Sequence, residues 1–260
     1  MTGPGLIRLD SRADGVRVLT LDRPPVNALG RDLVRELGDA IRRLGEDREA
    51  RCLLLRSASR HFCAGADLKE RREMSLDEVR AFVPRLAAVC TGLADLPFPT
   101  VAAVGGAAAG GGCELAIACD LRVLADDASI GLRETALGII PGAGGTQRLP
   151  RIIGPARAKR WIFSARMHTA SEALADGVAD RVVPADRLDE EADALATSIA
   201  ANAPLALRLA KRAIERGLDA TLDRGLELEW ECYQETLDTE DRLEALRAFA
   251  DKRAPRFGGR

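Results

Sequence analysis

Two acidic side chains stand beside glycine-rich segments, and they lie about twenty positions apart in the chain. Glu114 follows Gly110-Gly111-Gly112, where the pattern predicts the start of a helix, and Glu134 precedes Pro141-Gly142-Ala143-Gly144-Gly145. Glycine has no Cβ, so a ligand can approach the backbone closely, and the first N–H groups of a helix have no partner inside it. The helix dipole adds positive charge there, which suits an oxygen that becomes negative in a reaction. Paired carboxylates beside such donors indicate proton transfer next to a polarised carbonyl.

The amino-acid composition is that of an ordinary soluble globular protein. Hydrophobic residues make up 47% of the chain and charged residues 30%, and 40 acidic residues against 38 basic ones leave a net charge of −2. This near balance counts against a protein whose whole surface attracts nucleic acid or membrane. The length of 260 residues suits one large domain, or a core with a smaller appendage.

The cysteine and histidine residues indicate reduced thiols and no metal site. The chain has only two histidines, and its six cysteines include no C-x-x-C pair. Such a scattered set argues against a disulfide framework or a zinc knuckle. The first ten residues, MTGPGLIRLD, lack the basic and apolar regions of a signal peptide. We therefore expect a cytoplasmic protein that holds no metal.

Short apolar strands and helical patterns alternate along the first part of the chain. Strands are predicted at residues 16–21, 52–55, 100–104, 121–125 and 181–183, and helices at 31–44, 76–96 and 111–119. We expect Pro84 to kink or split the second of these helices. Residues 100–119 carry one charge, Glu114, but their five glycines favour a buried strand and helix over a membrane span. This rhythm predicts an α/β fold.

The chain becomes mostly helical after Gly145, and its domain organisation follows from that change. Predicted helices cover residues 155–163, 170–176, 188–201, 204–216, 222–237 and 241–250. The junction Asn202-Ala203-Pro204 is the best candidate boundary. We therefore predict a core with the active site at residues 1–201 and a C-terminal helical region at residues 202–260.

The glycine-rich segments do not match the nucleotide-binding motifs that they superficially suggest. A G-x-G-x-x-G pattern started at Gly105 meets Ala107, one started at Gly110 meets Leu115, and one started at Gly142 meets Gln147. Neither segment ends in the Gly-Lys-Ser/Thr of a P-loop, and no G-x-S-x-G elbow occurs. These mismatches count against dinucleotide, ATP and serine-hydrolase sites.

The order of several motifs resembles the crotonase (enoyl-CoA hydratase/isomerase) family over nearly the whole chain. The matching segments are Arg23-Pro24 through Asn27-Ala28-Leu29, HFCAGADLK from His61, GGGCELA from Gly110, Glu134, IPGAGGTQRL from Ile140, and the C-terminal residues Thr239 to Arg253. The turn at residues 23–27 is one residue shorter than the hydratase form. The resemblance implies a spiral of ββα units, a C-terminal helical trimerisation region and a homotrimer or dimer of trimers. It also implies an acyl-CoA thioester substrate, with coenzyme A as part of the substrate and no separate cofactor.

The resemblance also assigns roles to individual residues. It implies that the backbone N–H groups of Ala66 and Gly111 form an oxyanion hole and that Glu114 and Glu134 are the catalytic pair. The helix start favours a charged Glu114, which we interpret as the base that activates water. Beside that charge and partly desolvated, Glu134 should have a raised pKa and supply a proton. Taken alone, Glu114 could merely complement the helix dipole, and Glu134 could form a surface ion pair with Arg133 or Arg148.

A further set of residues is expected to contact the substrate or its coenzyme A moiety. It consists of Val26, Ala28, Ala64, Gly65, Asp67, Leu68, Lys69, Gly110, Leu137, Gly142, Phe249 and Lys252. For Lys69, Phe249 and Lys252, a solvated charge or a packing aromatic ring is the alternative interpretation. We expect the acyl pocket to be lined by residues such as Phe82, Val83, Leu86 and Leu137.

The retention of both carboxylates favours an enoyl-CoA hydratase among the activities of this family. Segments such as Arg133-Glu134-Thr135 also resemble the methylglutaconyl-CoA hydratase branch, and a Δ3,Δ2-enoyl-CoA isomerase is a second alternative. A non-catalytic CoA-binding scaffold and an RNA-binding protein are the non-enzymatic alternatives. Because residues 31–48 contain balanced arginine and acidic residues and no lysine, we do not expect nucleic acid as a partner.

Overall fold

The computed structural model describes residues 5–260, so the first four residues of the segment inspected for a signal peptide lie outside it. The described strands are β1 (Ile7–Ser11), β2 (Val16–Leu21), β3 (Cys52–Ser57), β4 (Thr100–Val104), β5 (Ala107–Ala109), β6 (Leu121–Ala125), β7 (Ser129–Gly131), β8 (His168–Thr169) and β9 (Arg181–Val183). The helices are α1 (Arg31–Glu46), α2 (Leu68–Glu73), α3 (Leu76–Ala94), α4 (Gly111–Ile117), α5 (Gly145–Ile153), α6 (Pro155–Ser164), α7 (Ala170–Asp176), α8 (Leu188–Ala200), α9 (Pro204–Leu218), α10 (Leu222–Leu237) and α11 (Glu240–Ala250).

The main sheet has the strand order β1-β2-β3-β4-β6-β9. The β1–β2 pair is antiparallel, and the remaining pairs are parallel, with Val18 opposite Leu54 and Leu54 opposite Val101. Parallel strands need cover on both faces, which explains their continuous apolar runs. One face contributes Leu53 and Leu55 to the core shared with α1 and α3, and the other packs Leu54 against α8. The α/β class predicted from the sequence is therefore confirmed.

A smaller sheet of order β5-β7-β8 lies next to the main one and connects the loops of the candidate site. Strand β5 runs parallel to β7, and β7 runs antiparallel to β8. Two isolated bridges extend this scaffold, one between Leu29 and Ala66 and one between Cys63 and Ala108. These short strands carry weak periodicity, so the sequence patterns did not predict them. They place the segments around residues 66, 110 and 131 side by side.

Helix α3 runs without a break from Leu76 to Ala94 although it contains Pro84. Of the predicted kink or split at Pro84, the split does not occur, for two physical reasons. A capping box formed by Ser75 and Glu78 fixes the first turn, and Phe82 and Leu86 anchor one face in the core. Pro84 lies on the exposed side, where the carbonyl that loses its helical partner can accept hydrogen bonds from water.

The C-terminal helices are attached to the core by buried polar contacts and leave an apolar face uncovered. Lys211 on α9 is buried, and its Nζ donates to Asp120 Oδ2 (2.9 Å) and to the carbonyl of Phe98 (3.3 Å). The boundary at residue 202 stays a prediction.

None of the described helices combines the length and apolar character that crossing a bilayer requires. Residues 100–119 form β4, β5 and α4, and the six cysteines of the chain are buried, unpaired thiols.

Candidate active site

Glu114 is held inside the protein by two backbone amides. It lies in the first turn of α4, whose residues are all buried, and its side chain is 2% exposed. Its Oε1 accepts hydrogen bonds from the N–H groups of Ala143 (2.7 Å) and Gly145 (2.8 Å). A side chain at residue 145 would crowd this arrangement, because a Cβ there would stand 2.9 Å from Pro141 Cβ and 3.1 Å from this oxygen. The segment around residue 144 therefore forms a cradle for one oxygen of the carboxylate.

The surroundings of Glu114 hold its pKa above the usual value, with burial as the largest cause and several contacts that reduce the shift. Burial raises its pKa, while the amides of Gly145 and Ala143 and the positive charge of Arg148 act in the opposite direction. Hydrogen bonds donated to a carboxylate favour its charged form. The pocket thus supports a carboxylate at Glu114 even though the side chain is removed from water.

Glu134 is also buried but has a much poorer set of partners. It begins the 3-10 helix Glu134–Leu137 and is 8% exposed, and its Oε2 has no hydrogen-bond partner among the described residues. Burial and, second, the charge of Glu114 raise its pKa to about 7. No salt bridge joins Glu134 to Arg133 or Arg148 within residues 5–260, so the surface ion pair considered from the sequence does not form.

Glu134 approaches the start of α4 closely, which brings the two carboxylates into one volume. A Cβ on Gly110 would stand 2.9 Å from Glu134 Oε1, and Gly110 itself has a φ of +53° that favours glycine. Gly110 precedes α4 directly, and its carbonyl accepts the hydrogen bond of the Glu114 N–H. The structure therefore brings together two side chains that lie far apart along the chain.

The amides of Ala66 and Gly111 also lie close together in this region. A Cβ on Gly111 would lie 3.9 Å from the Ala66 nitrogen, and a Cβ on Gly65, whose φ is +85°, would lie 3.3 Å from the Gly111 nitrogen. Among the backbone hydrogen bonds of residues 5–260 outside regular elements, neither N–H is a donor. As the first residue of α4, Gly111 has no acceptor within the helix. Two adjacent unused donors can bind one oxygen.

The other predicted substrate contacts divide into two groups. Most lie close in the chain to the amides of Ala66 and Gly111 or to the carboxylate pair. Val26, Ala28, Ala64, Gly65, Asp67, Gly110 and Gly142 are in loops, Leu68 and Lys69 begin α2, and Leu137 ends the 3-10 helix that begins at Glu134. Asp67 already has structural partners, because its carboxylate caps α2 and accepts a hydrogen bond from Arg23 Nη2 at 2.8 Å. Phe249, 86% exposed, and Lys252 lie at the surface of the C-terminal region. Neither belongs to the segments that surround the carboxylate pair.

Arg148 supports the Glu114 cradle and was not assigned a role from the sequence. Its Nη1 donates to the carbonyl of Ala143 (3.0 Å), and its Nη2 donates to Thr91 Oγ1 on α3 (3.2 Å). The segment Ile140 to Leu149 was recognised as a motif, but only Gly142 was expected to contact the substrate. The amides of Ala143 and Gly145 were missed because backbone donors carry no residue-type signal. The paired glycines before a helix start were the available clue.

Comparisons with known proteins place the chain among enzymes of one family. A family model described as "Enoyl-CoA hydratase/isomerase" matches residues 11–260. The human "Enoyl-CoA hydratase domain-containing protein 2, mitochondrial" is 47% identical over 95% of this chain and 86% of the relative. The human "Methylglutaconyl-CoA hydratase, mitochondrial" is 46% identical over 96% of this chain and 76% of the relative. The crystal structure of an enoyl-CoA hydratase from Bacillus anthracis superposes with a TM-score of 0.96 at 44% identity, covering 98% of this chain and 100% of that one.

These relatives correct one expectation and confirm another. Both human relatives are named as mitochondrial, which contradicts the cytoplasmic location expected from the sequence. That expectation rested on unpaired cysteines, which distinguish reducing from oxidising surroundings but do not separate one reducing compartment from another. The crotonase fold with a helical C-terminal region is confirmed by the superposition. Because the family model covers almost the whole chain, the protein belongs to the enoyl-CoA hydratase/isomerase family.

Proposed function

We propose that this protein is an enoyl-CoA hydratase that adds water across the 2,3 double bond of a 2-enoyl-CoA thioester. The observation that carries the proposal is the contrast between two buried carboxylates in one volume. Glu114 is held by two amides, whereas Glu134 has an unpartnered oxygen and a pKa of about 7. Hydration needs one group that takes a proton from water and one that gives a proton to carbon.

Glu114 acts as the base in this proposal. Its Oε1 is occupied by the amides of Ala143 and Gly145, so Oε2 is left to face a water molecule. As Oε2 takes one proton of that water, the oxygen of the water forms a bond with C3 of the substrate. The electrons of the double bond then move toward the thioester carbonyl, whose oxygen becomes negative.

The amides of Ala66 and Gly111 stabilise that oxygen, and Glu134 completes the addition. In comparable oxyanion holes, the loss of one donor costs about 3 kcal/mol of transition-state stabilisation. At neutral pH about half of the Glu134 side chains carry a proton, because the pKa is about 7. Transfer of that proton to C2 restores the thioester carbonyl. The product is a 3-hydroxyacyl-CoA, and the proton gained by Glu114 passes through solvent to Glu134.

A Δ3,Δ2-enoyl-CoA isomerase is the alternative reaction, whereas a methylglutaconyl-CoA hydratase would carry out the proposed hydration on a more specific substrate. An isomerase moves one proton between two carbons, which a single carboxylate can do. The second buried carboxylate therefore supports the hydratase. Glu134 is buried, and its Oε2 has no hydrogen-bond partner among the described residues, which disfavours the charged form of this side chain. A scaffold that only binds CoA has no use for such a carboxyl group.

We further propose that the chain forms a homotrimer or a dimer of trimers through its C-terminal helices. Apolar side chains on α9 and α10 that are more than half exposed in the single chain are Ile214, Leu218, Leu222, Leu226, Trp230 and Tyr233. A contiguous apolar surface of this kind is typical of a protein–protein interface. Sedimentation analysis tests this proposal, and a monomer at micromolar concentration would contradict it.

The proposed activity is tested by a pair of assays on the purified protein. Hydration of crotonyl-CoA is followed by the loss of the conjugated enoyl-thioester absorbance, and isomerisation by the appearance of that absorbance from a 3-enoyl-CoA. We expect hydration to be the faster reaction. Isomerisation without hydration would support the isomerase instead. Tight binding of acyl-CoA without either reaction would support a scaffold.

A further inference from the structure

Arg71 is an arginine near the candidate site that has no partner of opposite charge. It lies on α2, shortly after the proposed oxyanion-hole residue Ala66, and its Nη1 is buried without a hydrogen-bond partner among the described residues. No carboxylate of residues 5–260 lies within the 4.0 Å that defines an ion pair with it. Its guanidinium stands over the ring of Phe82, with Cζ 5.3 Å from the ring centroid.

Two neighbouring arginines are paired, whereas Arg71 is the only arginine among residues 5–260 with a buried side-chain nitrogen that lacks a hydrogen-bond partner. Arg23 pairs with Asp67 at 2.8 Å, and Arg31 pairs with Glu78 at 2.9 Å. Burial lowers the pKa of Arg71, and no nearby acid opposes that effect. A partly buried charge without a counter-ion reduces stability, so such groups are normally paired or bind a ligand. The donors of Arg71 are therefore available for an anion that is not part of this chain.

The contacts of Phe82 show where that anion would lie. Phe82 is buried on α3, and Leu86 follows it one helical turn later. Leu86 Cδ2 would be 3.4 Å from a Cβ on Gly111, and Val83 Cγ1 would be 2.8 Å from a Cβ on Gly142. On this face of α3, Leu86 thus lies beside the amide of Gly111. Phe82, about 6 Å nearer the start of the helix, lies against the guanidinium of Arg71.

This face of α3 is the predicted wall of the acyl pocket. A thioester oxygen bound by the amides of Ala66 and Gly111 would direct the acyl chain along Leu86 and Phe82. The chain would then end near the Arg71 guanidinium. An apolar wall that ends in an unpaired planar cation does not suit a purely hydrocarbon chain. It suits an acyl chain with an anionic end, because guanidinium binds carboxylate through paired, charge-assisted hydrogen bonds.

We propose that Arg71 binds a carboxylate at the far end of the acyl chain, so that the preferred substrate is the 2-enoyl thioester of a dicarboxylic acid. This inference rests on the proposed hydratase function and names its substrate class. Phe82 supports the guanidinium from one side. The buried Nη1 has no acceptor among the described residues, and one oxygen of the carboxylate would supply it. The relative named as a methylglutaconyl-CoA hydratase acts, by its name, on a thioester of this kind.

The kinetic test compares two kinds of substrate, with and without a terminal carboxylate, in three proteins. We expect the wild type to hydrate glutaconyl-CoA and 3-methylglutaconyl-CoA with a higher kcat/KM than crotonyl-CoA. Arg71→Gln should lower kcat/KM for the carboxylated substrates by about 30-fold or more, mainly through KM, because it removes one partner of a desolvated charge pair. It should change the value for crotonyl-CoA by less than about threefold. Arg72→Gln, at the exposed neighbouring position, is the matched control and should leave both substrates unaffected.

The outcomes separate this inference from the proposed function. Hydration of crotonyl-CoA without a preference for the carboxylated substrates would overturn the inference and keep the hydratase. An equal loss for both substrates in Arg71→Gln would mean that Arg71 binds a phosphate of coenzyme A, which also overturns it. Absence of any hydration by the wild type would overturn the proposed function itself.

A binding experiment gives an independent readout that does not need turnover. Glutaryl-CoA and butyryl-CoA lack the double bond, so calorimetric titration measures their affinities directly. We expect the wild type to bind glutaryl-CoA more tightly and Arg71→Gln to remove that difference. Arg71→Lys keeps the charge but loses the paired geometry, so it should recover only part of the difference. Equal affinities in the wild type would contradict a carboxylate site at Arg71.

Discussion

The segments that carry the two carboxylates of the site are built in opposite ways. Glu114 lies on a buried helix, and a separate loop supplies two amides to one of its oxygens. Glu134 lies on a single turn of 3-10 helix, and one of its oxygens has no partner among the described residues. Both side chains are almost fully buried, so burial alone does not distinguish them.

This difference indicates that hydrogen-bond partners, and not burial, make Glu114 suited to act as the base and Glu134 as the acid. Burial raises the pKa of both groups, but only Glu114 has amides and an arginine that favour its charged form. The resulting charge on Glu114 then raises the pKa of Glu134 further. One buried volume can therefore hold a proton acceptor and a proton donor at the same pH.

The largest loss of turnover is expected from a substitution of Glu114, the carboxylate that two amides hold. Glu114→Gln keeps an oxygen that can accept the hydrogen bonds of Ala143 and Gly145 but cannot take a proton from water. We expect kcat for crotonyl-CoA hydration to fall by about 10³- to 10⁴-fold, with little change in the affinity for butyryl-CoA. Steady-state kinetics and calorimetric titration measure the two quantities.

The two results together test the role and not only the fold. Unchanged affinity shows that the pocket is intact, because the ligand needs the oxyanion hole and the acyl wall. Turnover within tenfold of the wild type would contradict the assignment of Glu114 as the base.

A smaller but still large loss of turnover is expected from a substitution of Glu134, the carboxylate whose Oε2 has no partner among the described residues. Glu134→Gln removes the proton that should reach C2, and water can replace this donor in part. We expect kcat to fall by about 10²- to 10³-fold, again with little loss of butyryl-CoA affinity. In deuterated water, the wild type should place deuterium at C2 of the product with a single stereochemistry.

The configuration at C2 of the product shows whether Glu134 donates the proton. Residual turnover of Glu134→Gln should give a mixed configuration at C2 if bulk water is the donor. A variant that keeps full turnover and the same single configuration would rule out Glu134 as the proton donor.

Much of this comparison was accessible from the sequence, because residue types carry it. Glu114 and Glu134 were singled out beside glycine-rich segments, and the resemblance to the family implied that they are the catalytic pair. Most of the longer strands and helices were predicted from apolar periodicity, and so was the three-residue β9. Strand β1 and the short strands β5, β7 and β8 were not predicted, and the last three are too short to show a clear period. Helix α5 was also missed, because its first turn consists of glycine and polar residues.

The features that separate the two carboxylates could not be read from residue types. The amides of Ala143 and Gly145 depend on the path of the backbone, and any residue could supply an N–H. Arg71 was not singled out from the sequence, and Arg148 was considered only as an ion-pair partner of Glu134, because only the fold shows what surrounds each guanidinium. The continuity of α3 through Pro84 depends on a capping box and on core contacts that compensate for one lost hydrogen bond.

A moderate effect is expected from removing the charge that supports Glu114. Arg148→Gln leaves Glu114 in place but takes away the positive charge that lowers its pKa. The pKa of Glu114 should rise, so the base becomes protonated at a higher pH. We expect the acidic limb of the kcat profile to move upward, with about a tenfold loss at pH 6 and a much smaller loss at pH 8.

Two further variants separate the charge from the hydrogen bonds. Arg148→Lys keeps the charge, so it should restore the acidic limb even if kcat stays reduced. Arg151→Gln is the matched control one turn later, because Arg151 is exposed and its side chain donates hydrogen bonds to Gln147 and Asp219, away from Glu114. A uniform loss at all pH values in Arg148→Gln would indicate a structural role without an effect on the Glu114 charge.

The smallest effect concerns stability, and it follows from the raised pKa of Glu134. Its pKa rises from 4.5 to about 7 on folding, so the native state keeps a proton that the unfolded state releases between these values. The contribution of this group to stability is complete below about pH 4.5 and is lost as the pH rises through about 7. The loss is at most about 3 kcal/mol, which corresponds to several degrees in Tm.

Glu134→Gln removes this dependence, because glutamine stays neutral at every pH. Its Tm should equal that of the wild type near pH 5 and exceed it at pH 8, as measured by thermal unfolding followed by circular dichroism. Glu172→Gln is the matched control, since the pKa of Glu172 is lowered to about 2 by Arg166 and that side chain stays charged over this range. Its Tm curve should run parallel to that of the wild type between pH 5 and pH 8. If Glu134→Gln runs parallel as well, Glu134 does not hold a proton at neutral pH, and the two carboxylates are not an acid and a base.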